Sequence, residues 1–205
     1  MKVLKRILAA AVVPLALIPA QAWATWSIVA IDAESGLTAI SSATCVVLKP
    51  DQLSQLQAIV VPGVGVAAAQ ASVDGTHVNQ QLIFDELQRR TDPELIIEML
   101  SEDPNFERRQ FGIVDRFGRS AGHSGSGNSD VSLDFQGTSE DGVTWSVQGN
   151  IILSAEALEE GARIMQEDPS PMLDRIMLAM EAVDSLGGDN RCIGDKHSHV
   201  AYIIA

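Results

Sequence analysis

The sequence predicts an α+β fold in which two mostly antiparallel sheets lie between helix layers. Apolar runs bounded by Gly, Ser and Asp mark strands near both ends of the chain and in its middle. Two stretches switch instead to helical spacing, each long enough for a pair of helices. The strand-like runs follow one another as hairpins and do not alternate singly with helices, which argues against repeated βαβ units. The order is strands, two helices, strands, two helices, strand. Each helix pair needs an apolar surface to cover. Two packed sheets between helix layers satisfy every face; a single sheet with helices on one side is the alternative.

Each element has its own signal. "TWSIVAID" reads as a strand, "AESG" as a turn and "LTAISSATCVVL" as the returning strand. "QAIVVPGVGVAAAQAS" is small, apolar and punctuated by glycine, which suits further buried extended chain. From His77 to Arg90, Val78, Leu82, Ile83 and Leu87 fall at helical spacing. "TDPE" opens a second helix: Thr91 and Glu94 have capping-box spacing, Pro93 fits the first turn, and Ile96, Met99 and Leu100 form the core face. "RRQFGIVD", the turn "RFG" and "RSAGHSG" form a hairpin. Gly125 to Gly142 is rich in Gly, Ser and Asp and reads as an irregular loop; "VTWSVQGNIIL" is a strand. One helix spans Ala155 to Gln166. Another starts at Ser170-Pro171, buries Leu173, Ile176, Met177, Met180 and Val183, and stops at "GGDN". "HVAYIIA" closes the chain as a strand.

The first 24 residues read as a secretory signal peptide. A basic "MKVLKR" start precedes an apolar run from Ile7 to about Ala20, then small residues at Ala20, Ala22 and Ala24. That run is short for a membrane span. Residues 25–205 then form one domain in a periplasmic or secreted protein, with no stable membrane insertion after cleavage. Removing Lys2, Lys5 and Arg6 leaves 11 basic against 27 acidic residues, a net charge of −16. Such a surface repels nucleic acid and anionic lipid and favours neutral or cationic ligands. The two cysteines, Cys45 and Cys192, are a candidate disulfide in an oxidising compartment, the alternative being two buried thiols. Their spacing fits no zinc site. His197 and His199 share a strand face without a third ligand at metal spacing, so neither metal nor cofactor is expected.

Thr25 stands where the signal ends and the first strand begins. A threonine hydroxyl needs a base, and at a chain terminus the residue's own α-amine is within reach of it. That amine titrates near pH 8 when unperturbed, and such an arrangement supports covalent catalysis. Before cleavage the nitrogen is an amide and accepts no proton, so signal removal would activate the chain. Cleavage after Ala22 would instead leave Trp23 first and displace the amine by two residues.

The stretches "TWSIVAID", "SSATCV", "PGVGVAAAQASVD", "DPNFERRQFGIVDRFGRSAGHSG", "SVQGNIIL" and "GGDNRC" resemble, in order and spacing, the domain of unknown function family 1028, over Thr25 to Ala205. That family is regarded as related to the N-terminal nucleophile (Ntn) hydrolases. The resemblance implies a four-layer αββα sandwich and an amide-bond hydrolase of unestablished substrate. The family's threonine before Ser-Ile-Val-Ala falls on Thr25, ahead of Ser27, Ile28, Val29 and Ala30. The chain departs from the pattern ahead of "QGN", where "SGSGNSDVSLDFQGTSEDG" replaces a Trp-Ala-Gly stretch. A pocket shaped by that stretch would differ here.

Other residues complete the expectation. Asn150, ending "VQGN", offers an amide to an oxyanion, or stabilises a turn. Gln70, within "AAAQAS", lines a site or is a satisfied core amide. Asp189 in "GGDN" orients a terminal ammonium or closes a helix end. His123 in "AGHSG" is a further candidate for substrate binding. Two readings follow: a hydrolase of a small peptide or amino-acid-derived amide, with Thr25 and Asn150 catalytic, or a non-catalytic binding module on the same scaffold. In the second, the Gly125–Gly142 segment presents a ligand surface and a homodimer buries an edge strand.

Overall fold

A computed structural model describes residues 25–128, 131–192 and 198–205. The signal-peptide expectation and His197 lie outside them. The strands are β1 (Thr25–Asp32), β2 (Thr38–Thr44), β3 (Ala58–Val61), β4 (Gly65–Ala71), β5 (Arg109–Asp115), β6 (Ser120–Ser124), β7 (Val131–Thr138), β8 (Val143–Ile152) and β9 (Val200–Ile204). The helices are α1 (Pro50–Gln57), α2 (Val78–Gln88), α3 (Pro93–Leu100), α4 (Ala155–Glu167) and α5 (Met172–Ser185). One sheet has the order β7-β8-β1-β2-β9 and the other β3-β4-β5-β6. Every named pairing is antiparallel.

Three apolar clusters define the layers. Trp26, Ile28 and Ala30 of β1 and Val143, Trp145 and Val147 of β8 pack under Leu158 and Met165 of α4 and Ile176 and Val183 of α5. Ala67 and Ala69 of β4 and Phe111 and Ile113 of β5 pack under Ile83, Leu87, Ile96 and Leu100 of α2 and α3. Between the sheets lie Val29, Ile31, Ile40, Val66, Ala68 and Val114. The result is an αββα sandwich. It forms because strand side chains alternate: odd positions of β1 face the other sheet and even ones face helices. Nearly all of β1, β2, β4, β5 and β8 is buried, so these strands read as continuous runs and not as apolar-polar alternation.

Several local expectations need correction. The segment Gly125–Gly142, read as an irregular loop, carries strand β7. Its polar side chains hid it, because Asp134 and Gln136 are hydrogen-bonded within the protein. The helix α1 had no apolar stripe strong enough to show beside its Gln-rich sequence. α3 is capped by Asp92, whose side chain accepts from the Glu94 N–H; the Thr91 hydroxyl donates instead to Glu86. Met99 and Met177, placed in the core from periodicity, are each more than two-fifths exposed, at the rims of their helix faces. α5 also buries an arginine. Arg175 sits among Asp141, Ser139, Ser170 and Met165, with its Nη2 2.6 Å from the Asp141 carboxylate.

Cys45 and Cys192 are joined as a disulfide, with Cα atoms 5.6 Å apart and a sequence separation of 147. It ties the end of β2 to the loop after α5. No helix among the described residues is long and apolar enough to cross a membrane.

Candidate functional site

One end of the space between the sheets is polar. Thr25 and Ser27 of β1 and Gln148 and Asn150 of β8 face it, paired in register as Thr25–Asn150 and Ser27–Gln148. Gln70 and Gln110, also register partners, face it from β4 and β5. All six are buried. Glycine makes room for them: a Cβ on Gly112 would run into the Gln148 amide and lie 2.7 Å from Ser146 Oγ.

These groups form one directed network. Gln70 Nε2 donates to the Thr25 carbonyl (3.1 Å) and to Gln110 Oε1 (2.7 Å). Its Oε1 accepts from Ser27 Oγ (2.7 Å) and from Gln57 Nε2 of α1 (2.5 Å). Ser27 Oγ in turn accepts from Gln148 Nε2 (2.6 Å), whose Oε1 takes the Ser146 hydroxyl (2.7 Å). Gln110 Nε2 donates to the carbonyls of Gly149 (2.8 Å) and Leu133 (3.1 Å). Asn150 Nδ2 donates to Gln110 Oε1 (3.1 Å). Backbone carbonyls only accept, so those of Thr25, Gly149 and Leu133 fix which end of each amide points where. Tyr202 of β9 donates to Gln57 Oε1 (3.0 Å), and burial pushes its phenol up, so it stays a donor.

The backbone is strained at the same end. Ala71, directly after Gln70, has φ 70°, and Ile151, directly after Asn150, has φ 56°. A β-branched residue rarely adopts that region, and such outliers gather where a site constrains the chain.

Asp189 crosses this end of the five-stranded sheet. It bridges Ile152 at the end of β8, and its Oδ2 accepts the Cys45 N–H, just past β2, at 2.8 Å. β1 lies between β8 and β2, so the loop carrying this fully buried residue spans the start of β1. Arg191 pairs with it at 2.8 Å. Cys45, Asp189 and Cys192 lie close enough to hold a metal ion, but both sulfurs are spent on the disulfide.

The fold therefore gathers Thr25, Asn150, Gln70 and Asp189 from distant parts of the chain. Of the two parts read for Gln70, its hydrogen bonds match the satisfied core amide: both ends are occupied by protein groups, so it holds the Thr25 backbone. His123 is elsewhere. It faces α3 with Phe111, stacks on Phe106 (ring centroids 3.6 Å) and bonds the Phe106 carbonyl at 3.1 Å through Nε2. Ser27, Gln57, Gln110 and Gln148 went unnoticed in the sequence. The available signal was polar residues at every second position, Thr25 and Ser27, then Gln148 and Asn150, inside otherwise apolar strands.

Residues 25–205 match the family described as "Family of unknown function (DUF1028)". No curated protein matches the chain. Among solved structures, the crystal structure of protein SPO2555 from Silicibacter pomeroyi, also described as DUF1028, is similar with a TM-score of 0.69 and 20% identity. The match covers 80% of this chain and 71% of that one. At that identity the likeness speaks for the fold alone.

Proposed function

The chain belongs to the DUF1028 family of unknown function, and from its own residues, together with the relation to the Ntn hydrolases that the family resemblance implies, we propose a periplasmic or secreted amide-bond hydrolase. Thr25, made the first residue by signal removal, is the nucleophile. The observation that carries this reading is the position of Thr25. It opens a buried central strand, its carbonyl is held by Gln70, and strained Ala71 and Ile151 follow its two neighbours.

The α-amine of Thr25 removes the hydroxyl proton as Oγ bonds to the substrate carbonyl carbon, and the C=O electron pair moves to oxygen. Backbone N–H groups at the strand ends hold that oxyanion, aided by the second N–H of Asn150 Nδ2, whose first is given to Gln110. When the C=O re-forms, the C–N bond breaks and the ammonium returns its proton to the leaving amine. Water, deprotonated by the same amine, then cleaves the ester and releases the acid. An acidic protein suits a neutral or cationic substrate, here a small peptide or amino-acid-derived amide.

Intact-mass analysis after incubation with an electrophilic amide mimic tests this. The mature chain must begin at Thr25 and carry one adduct there, lost in Thr25→Ala and kept in Thr25→Ser. A chain beginning at Trp23, or an adduct elsewhere, sinks the proposal. A second reading, ligand binding without chemistry, draws on a cavity of about 610 Å³ between α5 and the β2–β9 edge, lined by Trp26, Met177, Met180 and Ile203. It prevails if ligands bind and no adduct forms.

A further inference from the structure

Asn150 holds one of the few buried polar atoms without a partner among the described residues, its side-chain carbonyl oxygen Oδ1. Asn150 is fully buried. Its amide is not free to turn. Gln110 Nε2 is committed to the Gly149 and Leu133 carbonyls, so Gln110 presents Oε1 to Asn150, and Asn150 must answer with Nδ2. Turning it over would set two carbonyl oxygens against each other. The unpartnered acceptor is thus fixed in place by a chain of one-way bonds that starts at backbone carbonyls.

Asn150 is the register partner of Thr25. Directly opposed residues of an antiparallel pair set their side chains on one face, with Cβ atoms about 5 Å apart. In the unprocessed chain the Thr25 nitrogen is a peptide N–H with a single hydrogen. Cleavage before Thr25 converts it to an amine, with additional N–H donors at the strand end.

We infer that Asn150 is a positioning residue whose Oδ1 accepts a hydrogen bond from the amine that processing creates on Thr25. This rests on the Thr25 reading above and adds its maturation: the site is built with an acceptor whose donor arrives on cleavage. The bond holds the amine toward its own hydroxyl and, by favouring the charged form, raises the pH at which the amine becomes a base. Among the described residues, the other charged or titratable groups at this end are Asp189 with Arg191 on it, His199, whose backbone N–H donates to the Thr44 carbonyl, and, from β5, Arg109, which pairs with Asp103 at 2.9 Å. β2, β4 and β8 present none there.

The test uses a chain produced to begin at Thr25, with isotope-labelled threonine and asparagine, followed by NMR across pH 5 to 10. In the unmutated chain the Asn150 side-chain carbonyl carbon must titrate with the same midpoint as the Thr25 amine. Asn150→Ala must lower that midpoint by about one pH unit, and Asn150→Asp must raise it. A purely structural role gives no such opposed pair of shifts. If the Asn150 carbonyl does not follow the amine, or if both folded variants titrate with the wild type, the inference is overturned. Should the variants fail to fold, the unmutated titration alone decides. Shared midpoints without electrophile labelling of Thr25 would keep this inference and remove the hydrolase reading; labelling without shared midpoints would do the reverse.

Discussion

The Asp189 carboxylate accepts the backbone N–H of Cys45 at 2.8 Å, from 144 residues along the chain. With the Cys45–Cys192 disulfide beside it, this contact fastens the loop after α5 over the start of β1. Both depend on the long return from β2 to the chain's end.

Breaking that fastening should cost both stability and site order. A crosslink closing 147 residues removes roughly 5 kcal/mol of unfolded-state entropy in the chain-entropy model. Cys45→Ser with Cys192→Ser should lose about 2–5 kcal/mol in urea denaturation. Electrophile labelling of Thr25 should slow more than that loss alone explains, because the Asp189 loop is released.

Gln70 is the hub of the buried network, so removing it strands Ser27, Gln57, Gln110 and the Thr25 carbonyl. Gln70→Leu should destabilise the chain by about 3 kcal/mol, measured by chemical denaturation. Gln70→Glu adds a pH signature. Burial raises the folded-state carboxyl pKa above its unfolded value, so the variant is closest to wild type below about pH 4. Its deficit should grow as pH rises through the folded value.

Gly112 is required by the close approach of the two sheets. A methyl there meets the Gln148 amide, which is itself locked between Ser27 and Ser146. Gly112→Ala should cost about 2–3 kcal/mol. Gly112→Ala with Gln148→Ala should recover part of that loss, because the space vacated is the space needed; a thermal-melt comparison checks it.

The Arg175 guanidinium, with the Ser139 hydroxyl, holds the Asp141 carboxyl at about 2, below its ordinary 3.8. A depressed folded-state value stabilises above the unfolded pKa and is lost as pH falls toward the folded one. Asp141 is half-exposed, so the gain is modest. Asp141→Asn should be less stable than wild type by about 1 kcal/mol at pH 7. That gap should close between about pH 4 and pH 2 in urea titrations. Arg175→Met should show the same closing gap with a larger value at pH 7, since Arg175 is buried.

Much of the fold was legible because its signals are local. The periodicity of "HVNQQLIFDELQ" gave α2, Pro93 marked the first turn of α3, and "GGDN" stopped α5, where Gly187 has φ 108°. The position of Thr25 at the head of a strand was legible for the same reason, and the pairing of the cysteines because there are only two. β7 was not, because its half-buried polar residues are held by partners that sequence alone does not supply. Nor was the exclusion of His123, whose place follows from which face of β6 the helices cover.

The sequence by itself determined most of the elements, their order and a hydroxyl beside a potential new amine, since spacing and turn chemistry act over a few residues. Only the tertiary structure decided the company that hydroxyl keeps. Gln70, Gln110 and Asn150 reach Thr25 through sheet register and sheet stacking, and which end of each amide faces it is set by carbonyls on three different strands. That is a property of long-range geometry, and no stretch of the chain read alone contains it.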